Sequence, residues 1–178
     1  MLTYIQKKYK FTDYQTAQLR YTFTIIFSEV SKFIILLLIF HGQPAAFLYS
    51  FLLLGILRLS VGGMHAKTYW GCFFASLTFF YAALILLPQF RVTKTALFLL
   101  LVGCMLITCK TGAVSSPLRR EPDPDKKKRL VQQSLFTIFM HLILFVLFDD
   151  KLFTAGSWIV ILQTIQLVIS KYYYVRRR

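Results

Sequence analysis

Acidic residues are scarce in this chain: seven Asp and Glu stand against 21 Lys and Arg in 178 residues, a formal net charge of +14. Charge of either sign is sparse, at 16% of the residues, whereas 57% are hydrophobic and 17% aromatic. That balance excludes a soluble globular domain, which could not hide so much apolar surface at this length. Cysteine is limited to Cys72, Cys104 and Cys109. An odd number with no paired spacing excludes a disulfide framework and a cysteine zinc site, so thiols facing a reducing side are expected, with no metal or organic cofactor. Internal repeats are lacking, as are low-complexity linkers apart from one basic stretch over 109–134. No cleavable signal peptide is expected, because the first apolar run follows a polar, basic segment over 1–20 and carries Glu29 and Lys32.

What is present is a series of six apolar runs, over 21–40, 45–59, 73–87, 95–108, 135–148 and 152–170. A full span takes about 20 residues, so the shorter runs must borrow polar flanks, tilt little or thin the bilayer locally. Six spanning helices is the count these runs favour, and four spans with two interfacial segments is the alternative. The basic residues discriminate. With the N-terminus inside, Lys7, Lys8, Lys10, Arg20, Arg58, Lys67, the seven Lys and Arg between 110 and 129, and the four between 171 and 178 all face the cytoplasm. Seventeen then lie inside and three, Arg91, Lys94 and Lys151, outside, with Lys32 inside the first run. This is the positive-inside bias. The expected fold is therefore a single all-α integral membrane domain over 1–178, with about six transmembrane helices and both termini cytoplasmic. Thr12 and Gln15 have capping-box spacing, so a helix is expected to begin before the apolar run does. Basic residues set between apolar runs match anionic lipid headgroups and not a nucleic-acid duplex.

One loop, over 58–72, is chemically loaded, reading Arg58-Leu-Ser-Val-Gly62-Gly63-Met-His65-Ala-Lys-Thr-Tyr-Trp-Gly-Cys72. Paired glycines let the chain turn sharply. Cys72 opens the third apolar run, and a thiol near a helix N-terminus feels the positive end of the macrodipole, which favours thiolate. Its own amide and those of the preceding turn are candidates for an oxyanion hole. His65 is the histidine nearest to it in sequence and has the chemistry of a base for such a thiol. On one continuous helix the two would share a face but stand about 10.5 Å apart along the axis. A working dyad therefore requires the glycine-bearing segment to fold back over the start of the third helix. The bland alternatives are a packed cysteine and an interfacial histidine. For Cys104, Cys109, His41 and His141, turn or packing duties suffice.

The ordered set Arg58, Gly62, Gly63, Met64, His65, Ala66 and Cys72 resembles the central motif of the accessory gene regulator B (AgrB) family, bacterial membrane peptidases that process quorum-sensing peptide precursors. The basic N-terminal segment, the apolar runs and a lysine-rich inner loop extend the likeness over most of the chain. The resemblance implies a multi-pass protein of the bacterial cell membrane with its active site facing the cytoplasm. It implies a cysteine endopeptidase in which Cys72 is the nucleophile and His65 the general base and acid. It also implies a membrane-associated propeptide as substrate, cut near its C-terminal side through a thioester, with closure of a thiolactone or lactone ring to follow.

Other residues are candidates for support. Arg58 can hold a carboxylate or a carbonyl, or snorkel to the headgroups. Glu29 and Lys32 lie at i, i+3 inside an apolar run, where ionisable groups are functional suspects; an ion pair is the simpler reading, and Glu29 is a candidate to orient His65. Lys126, Lys127, Lys128 and Arg129 can dock an acidic segment of a precursor or anchor to lipid. Short helices favour pairing into a homodimer. Two other classes compete: a small transporter whose path Glu29 and Lys32 line, and a non-enzymatic membrane adaptor working through the basic loop. The topology is tested with a reporter that is active only in the cytoplasm. Fusions at positions 123 and 178 are expected to be active and fusions at 43 and 150 silent, and the reverse pattern overturns the orientation.

Overall fold

The computed structural model describes residues 13–63, 68–90, 92–114 and 123–175. Six helices account for almost all of them: α1 (Asp13–Ile39), α2 (Pro44–Val61), α3 (Tyr69–Tyr81), α4 (Lys94–Thr111), α5 (Pro124–Leu147) and α6 (Lys151–Val175). No strand occurs among the described residues. Five, namely α2 to α6, are long and apolar enough to cross a membrane, α3 being counted with its continuation to Gln89. The chain is a multi-pass membrane protein. α1 holds the first apolar run and is described from Asp13, ahead of that run; Thr12, the expected cap, lies outside the described residues.

The helix ends follow local chemistry. Thr68 and Thr93 are extended N-caps whose hydroxyls accept from the Gly71 and Ala96 amides at 3.2 and 3.3 Å. Pro44 and Pro124 open α2 and α5, where the missing N–H is no loss. Pro88 acts at the other end of α3. It cannot donate, and its ring crowds the carbonyl four residues back, so the helix widens into a π turn over Ala82–Leu86 and closes as a 3₁₀ turn over Leu87–Gln89.

The chain divides into two compact units, Met1–His41 and Gly42–Arg178. In the first, Glu29 and Lys32 pair with each other across one turn of α1. In the second, α6 is the axial helix, packing against α2, α4, α5 and the end of α3. Its Ala155-Gly156-Ser157 segment is buried and small, which lets α2 and α5 approach closely. Apolar side chains face both ways: Leu59, 84% exposed, and Leu52, Phe136 and Leu147 point outward, while Ser134, His141, Ser157, Gln163 and Thr164 are buried beside an apolar core. Lipid tails accept the former and offer nothing to the latter, so the interior must satisfy its own polar groups. Ser134, Ser157, Thr164 and Ser170 do so by donating to carbonyls three or four residues back.

His141 makes a longer tie. Its Nδ1 lies 2.7 Å from the Tyr49 hydroxyl on α2 and its Nε2 lies 3.1 Å from Ser157 Oγ on α6, so one buried imidazole links three helices. Packing duty alone therefore understates this residue. Gly156 makes room for it, because a Cβ there would stand 2.6 Å from Tyr49 Cε1 and 2.7 Å from His141 Cε1. His141→Phe is expected to destabilise the bundle by about 1–3 kcal/mol, the cost of stranding buried polar partners. Gly156→Ala is expected to do the same by overpacking, at about 1–3 kcal/mol. Thermal unfolding in detergent reads both, and unchanged midpoints would show that the tie carries no stability.

Candidate functional site

The end of α2, the end of α4 and the last third of α6 meet at one end of the second unit. Gly62 makes the exit from α2. Its N–H donates to the Arg58 carbonyl at 3.0 Å, and its φ of 82° with ψ of −165° is a conformation essentially restricted to glycine. A side chain would also collide with the Val114 carbonyl oxygen just past α4. The carbonyls freed at this exit are both used. Val61 O accepts from the Val114 amide at 2.9 Å, and Gly62 O accepts from Gln163 Nε2 of α6 at 2.8 Å. Gly63 is buried, where an added Cβ would lie 3.6 Å from the Gln163 and Gln166 amides. Of the paired glycines only Gly62 is required by torsion and clearance; a Cβ at Gly63 would make ordinary contacts.

Arg58 does not simply snorkel. Its Nη2 donates to Gln166 Oε1 at 3.2 Å, and its guanidinium carbon lies 5.4 Å from the centre of the Phe79 ring. A cation held by a polar partner and an aromatic face is anchored inside the bundle end. Lys171, further along α6, donates to the Thr111 carbonyl at 2.7 Å and caps α4.

Cys72 sits in the first turn of α3, half-buried, with its amide donating to the Thr68 carbonyl at 3.0 Å. That amide and the Gly71 amide are therefore both engaged at the Thr68 cap, so the oxyanion hole expected from them is not available in this arrangement. The helix that carries Cys72 begins at Tyr69, beyond position 65, so no continuous helix separates the two along its axis. His65 itself lies outside the described residues, as do Met64, Ala66 and Lys67. Cys104 is buried in α4 and Cys109 exposed near its end, and none of the three cysteines forms a disulfide.

The remaining candidates stand elsewhere. Glu29 belongs to the first unit, where its partner is Lys32. Lys126, Lys127, Lys128 and Arg129, read as loop, form the opening turns of α5. Lys126 and Arg129 line a surface cavity of about 480 Å³ together with Asp123, Asp125, Leu130 and Gln133. His41 bonds the Leu38 carbonyl at 3.0 Å, a turn duty. Sequence reasoning missed Gln163 and Gln166. The signal was there, two polar side chains at i, i+3 inside an apolar run, and such residues turn inward because lipid cannot pair with them.

Comparison with known proteins agrees with the motif. The family model described as accessory gene regulator B matches residues 1–167. A protein of Clostridium beijerinckii whose name describes it as AgrB-like is 30% identical over 155 residues, covering 85% of this chain and 76% of that protein. No solved structure matches the chain.

The two glycines of α2 and its exit give a paired test. Gly62→Ala is expected to cost about 1–3 kcal/mol from the backbone alone. Gly55→Ala, with open space around the added methyl group, is expected to be neutral or stabilising by up to about 1 kcal/mol. Thermal unfolding of the two variants in detergent separates them, and equal midpoints would show that the α2 exit is not constrained.

Proposed function

The chain belongs to the accessory gene regulator B family, and on that premise we propose that it is a membrane-embedded cysteine endopeptidase acting on a quorum-sensing propeptide. The observation that carries the reading is the placement of Cys72. It is a part-exposed thiol in the first turn of a membrane helix, and the chain that leads to it leaves α2 through a glycine turn held by α6 and by the segment after α4. Such a position gives a thiolate the favourable end of a helix dipole and an open approach.

In the proposed reaction the Cys72 sulfur attacks the scissile carbonyl, having given its proton to His65. The protonated imidazole then transfers that proton to the leaving amine, which departs with the C-terminal fragment. The N-terminal fragment remains on Cys72 as a thioester. Attack on that carbonyl by a thiol or hydroxyl within the same fragment forms a thiolactone or lactone and returns Cys72. The thiol version exchanges one thioester for another and is nearly isoenergetic, so it needs a site that excludes water. The membrane boundary supplies such a site. The basic turn at 126–129 is the proposed dock for an acidic part of the propeptide, and the bias of basic residues supports a cytoplasmic site with both termini inside.

Glu29 and Lys32 pair with each other across one turn of α1, which supports the simpler reading of the two as an ion pair. Mass spectrometry of a propeptide encoded close to this protein, co-expressed with wild type or with Cys72→Ala, tests the proposal. A truncated product is expected with wild type alone, and loss of one further water mass relative to the linear fragment marks ring closure. Equal product from both chains removes Cys72 as nucleophile.

A further inference from the structure

Between α4 and α6 runs an open groove of about 400 Å³, walled by Leu99, Gly103 and Ile107 on one helix and by Ile161, Ile165 and Val168 on the other. Gly103 makes the notch. It lies one turn from Leu99 and one from Ile107 on the same helix face, and a Cβ placed there would meet nothing within 4 Å. The groove is dry: the hydroxyl that lines it, on Thr164, already donates to the Val160 carbonyl at 2.8 Å, so a water there would find too few partners. From Leu99 to Ile107 the groove follows α4 through a rise of about 12 Å. That is close to the roughly 15 Å of hydrocarbon in one leaflet, and half of what a spanning helix would cover. The end of the groove is basic. Thr111 stands one turn beyond Ile107, and Lys171, three residues beyond Val168, reaches across from α6 to bond the Thr111 carbonyl at 2.7 Å. Its ammonium is exposed and has three donors, of which this bond uses one. Lys110, exposed in the last turn of α4, adds a second cation. The ion pairs found among the described residues use neither lysine.

We propose that this groove is a binding site for one anionic phospholipid, with an acyl chain laid along the Gly103 notch and the phosphate held by Lys171 and Lys110. An apolar slot one leaflet deep, ending in two cations, is complementary to a tail joined to a negative head. A zwitterionic lipid would fill the slot equally well but would bring its own cation to the lysines. The occupant is a lipid and not a helix, because the slot stops at half the depth of the bilayer. On the orientation that the basic residues support, the lipid belongs to the cytoplasmic leaflet. It would brace α4 against α6 beside the Lys171 tie and stabilise the bundle in proportion to its occupancy. The proposal is independent of the peptidase reading and stands or falls by lipid binding alone.

The test titrates the full chain in detergent with phosphatidylglycerol or phosphatidylcholine of identical chains, and reads bound lipid by native mass spectrometry. The wild type is expected to bind the first phosphatidylglycerol at least fivefold more tightly than phosphatidylcholine. Gly103→Leu, which fills the notch, is expected to weaken phosphatidylglycerol binding at least fivefold, with a lipid-free thermal midpoint within a few degrees of wild type. Gly55→Leu adds the same side chain at another glycine with open space around it and is expected to bind as wild type does. Lys110→Gln combined with Lys171→Gln removes both charges while leaving a donor for the Thr111 carbonyl. Its affinity for phosphatidylglycerol is expected to fall to that for phosphatidylcholine, and it takes over as the test if Gly103→Leu does not fold. Equal affinity of the wild type for the two lipids overturns the proposal, as does undiminished binding by Gly103→Leu or a preference that survives in the lysine double variant. A wild-type mass of two chains that Gly103→Leu reduces to one overturns it too, by making the groove a contact between copies.

Discussion

Lipid gives a buried polar atom no second chance, and the arrangement of this protein depends on that constraint. Most hydroxyls, amides and imidazoles turned away from the bilayer meet a partner within the bundle, and those that do not, Ser50 Oγ and Gln163 Oε1 among them, carry a cost. The helix that supplies most of those partners is α6. Toward one end it presents Ser157 to His141, and toward the other Gln163 and Gln166 to the exit of α2. The small residues at Ala155 and Gly156 are the packing side of the same requirement, since a hydrogen bond across helices needs the backbones close. Between the two polar layers α6 is lined by Ile159 and Val160, fully buried and apolar.

The consequence for chemistry is a division of labour. Of the proposed reacting groups, Cys72 lies in the first turn of α3 and His65 in the segment before it, whereas the groups that hold the exit of α2 come from α6 and the segment after α4. A loop at a membrane boundary has few neighbours of its own, so its geometry has to be imported from the helices beside it. Gly62 is where the import happens. It satisfies torsion, clearance from Val114 and a hydrogen bond to Gln163 in one residue.

Much of this was legible in the sequence. Apolar runs and the lopsided distribution of lysine and arginine gave an all-helical membrane chain with the helices close to where they are found. The threonine and prolines that open α2, α4 and α5 were local signals that the sequence reading left unused. The ordered motif from Arg58 to Cys72 marked the family. What pattern alone could not supply was pairing across sequence distance. His141 had no visible partner because Tyr49 and Ser157 are 92 and 16 residues away from it. Gln163 looked like one polar residue in an apolar stretch, and nothing local says that its partner is a backbone carbonyl 101 residues upstream. The amides at the start of α3 illustrate the converse error. Position suggested an oxyanion hole, but the Thr68 cap that makes the helix start there also consumes them.

The π turn in α3 has a mechanical meaning. A π turn holds one residue more than the α-helical register needs, which rotates the halves of a helix on either side of it by about 100°. The stretch of α3 bearing Cys72 buries Phe73 and Phe80, and the π turn itself buries Ala83 and Leu84. The extra residue therefore acts as a vernier between the two halves. It lets the Phe face seat against the bundle while the Pro88 end keeps its own fit, and so it sets the azimuth of the thiol from a full three turns away.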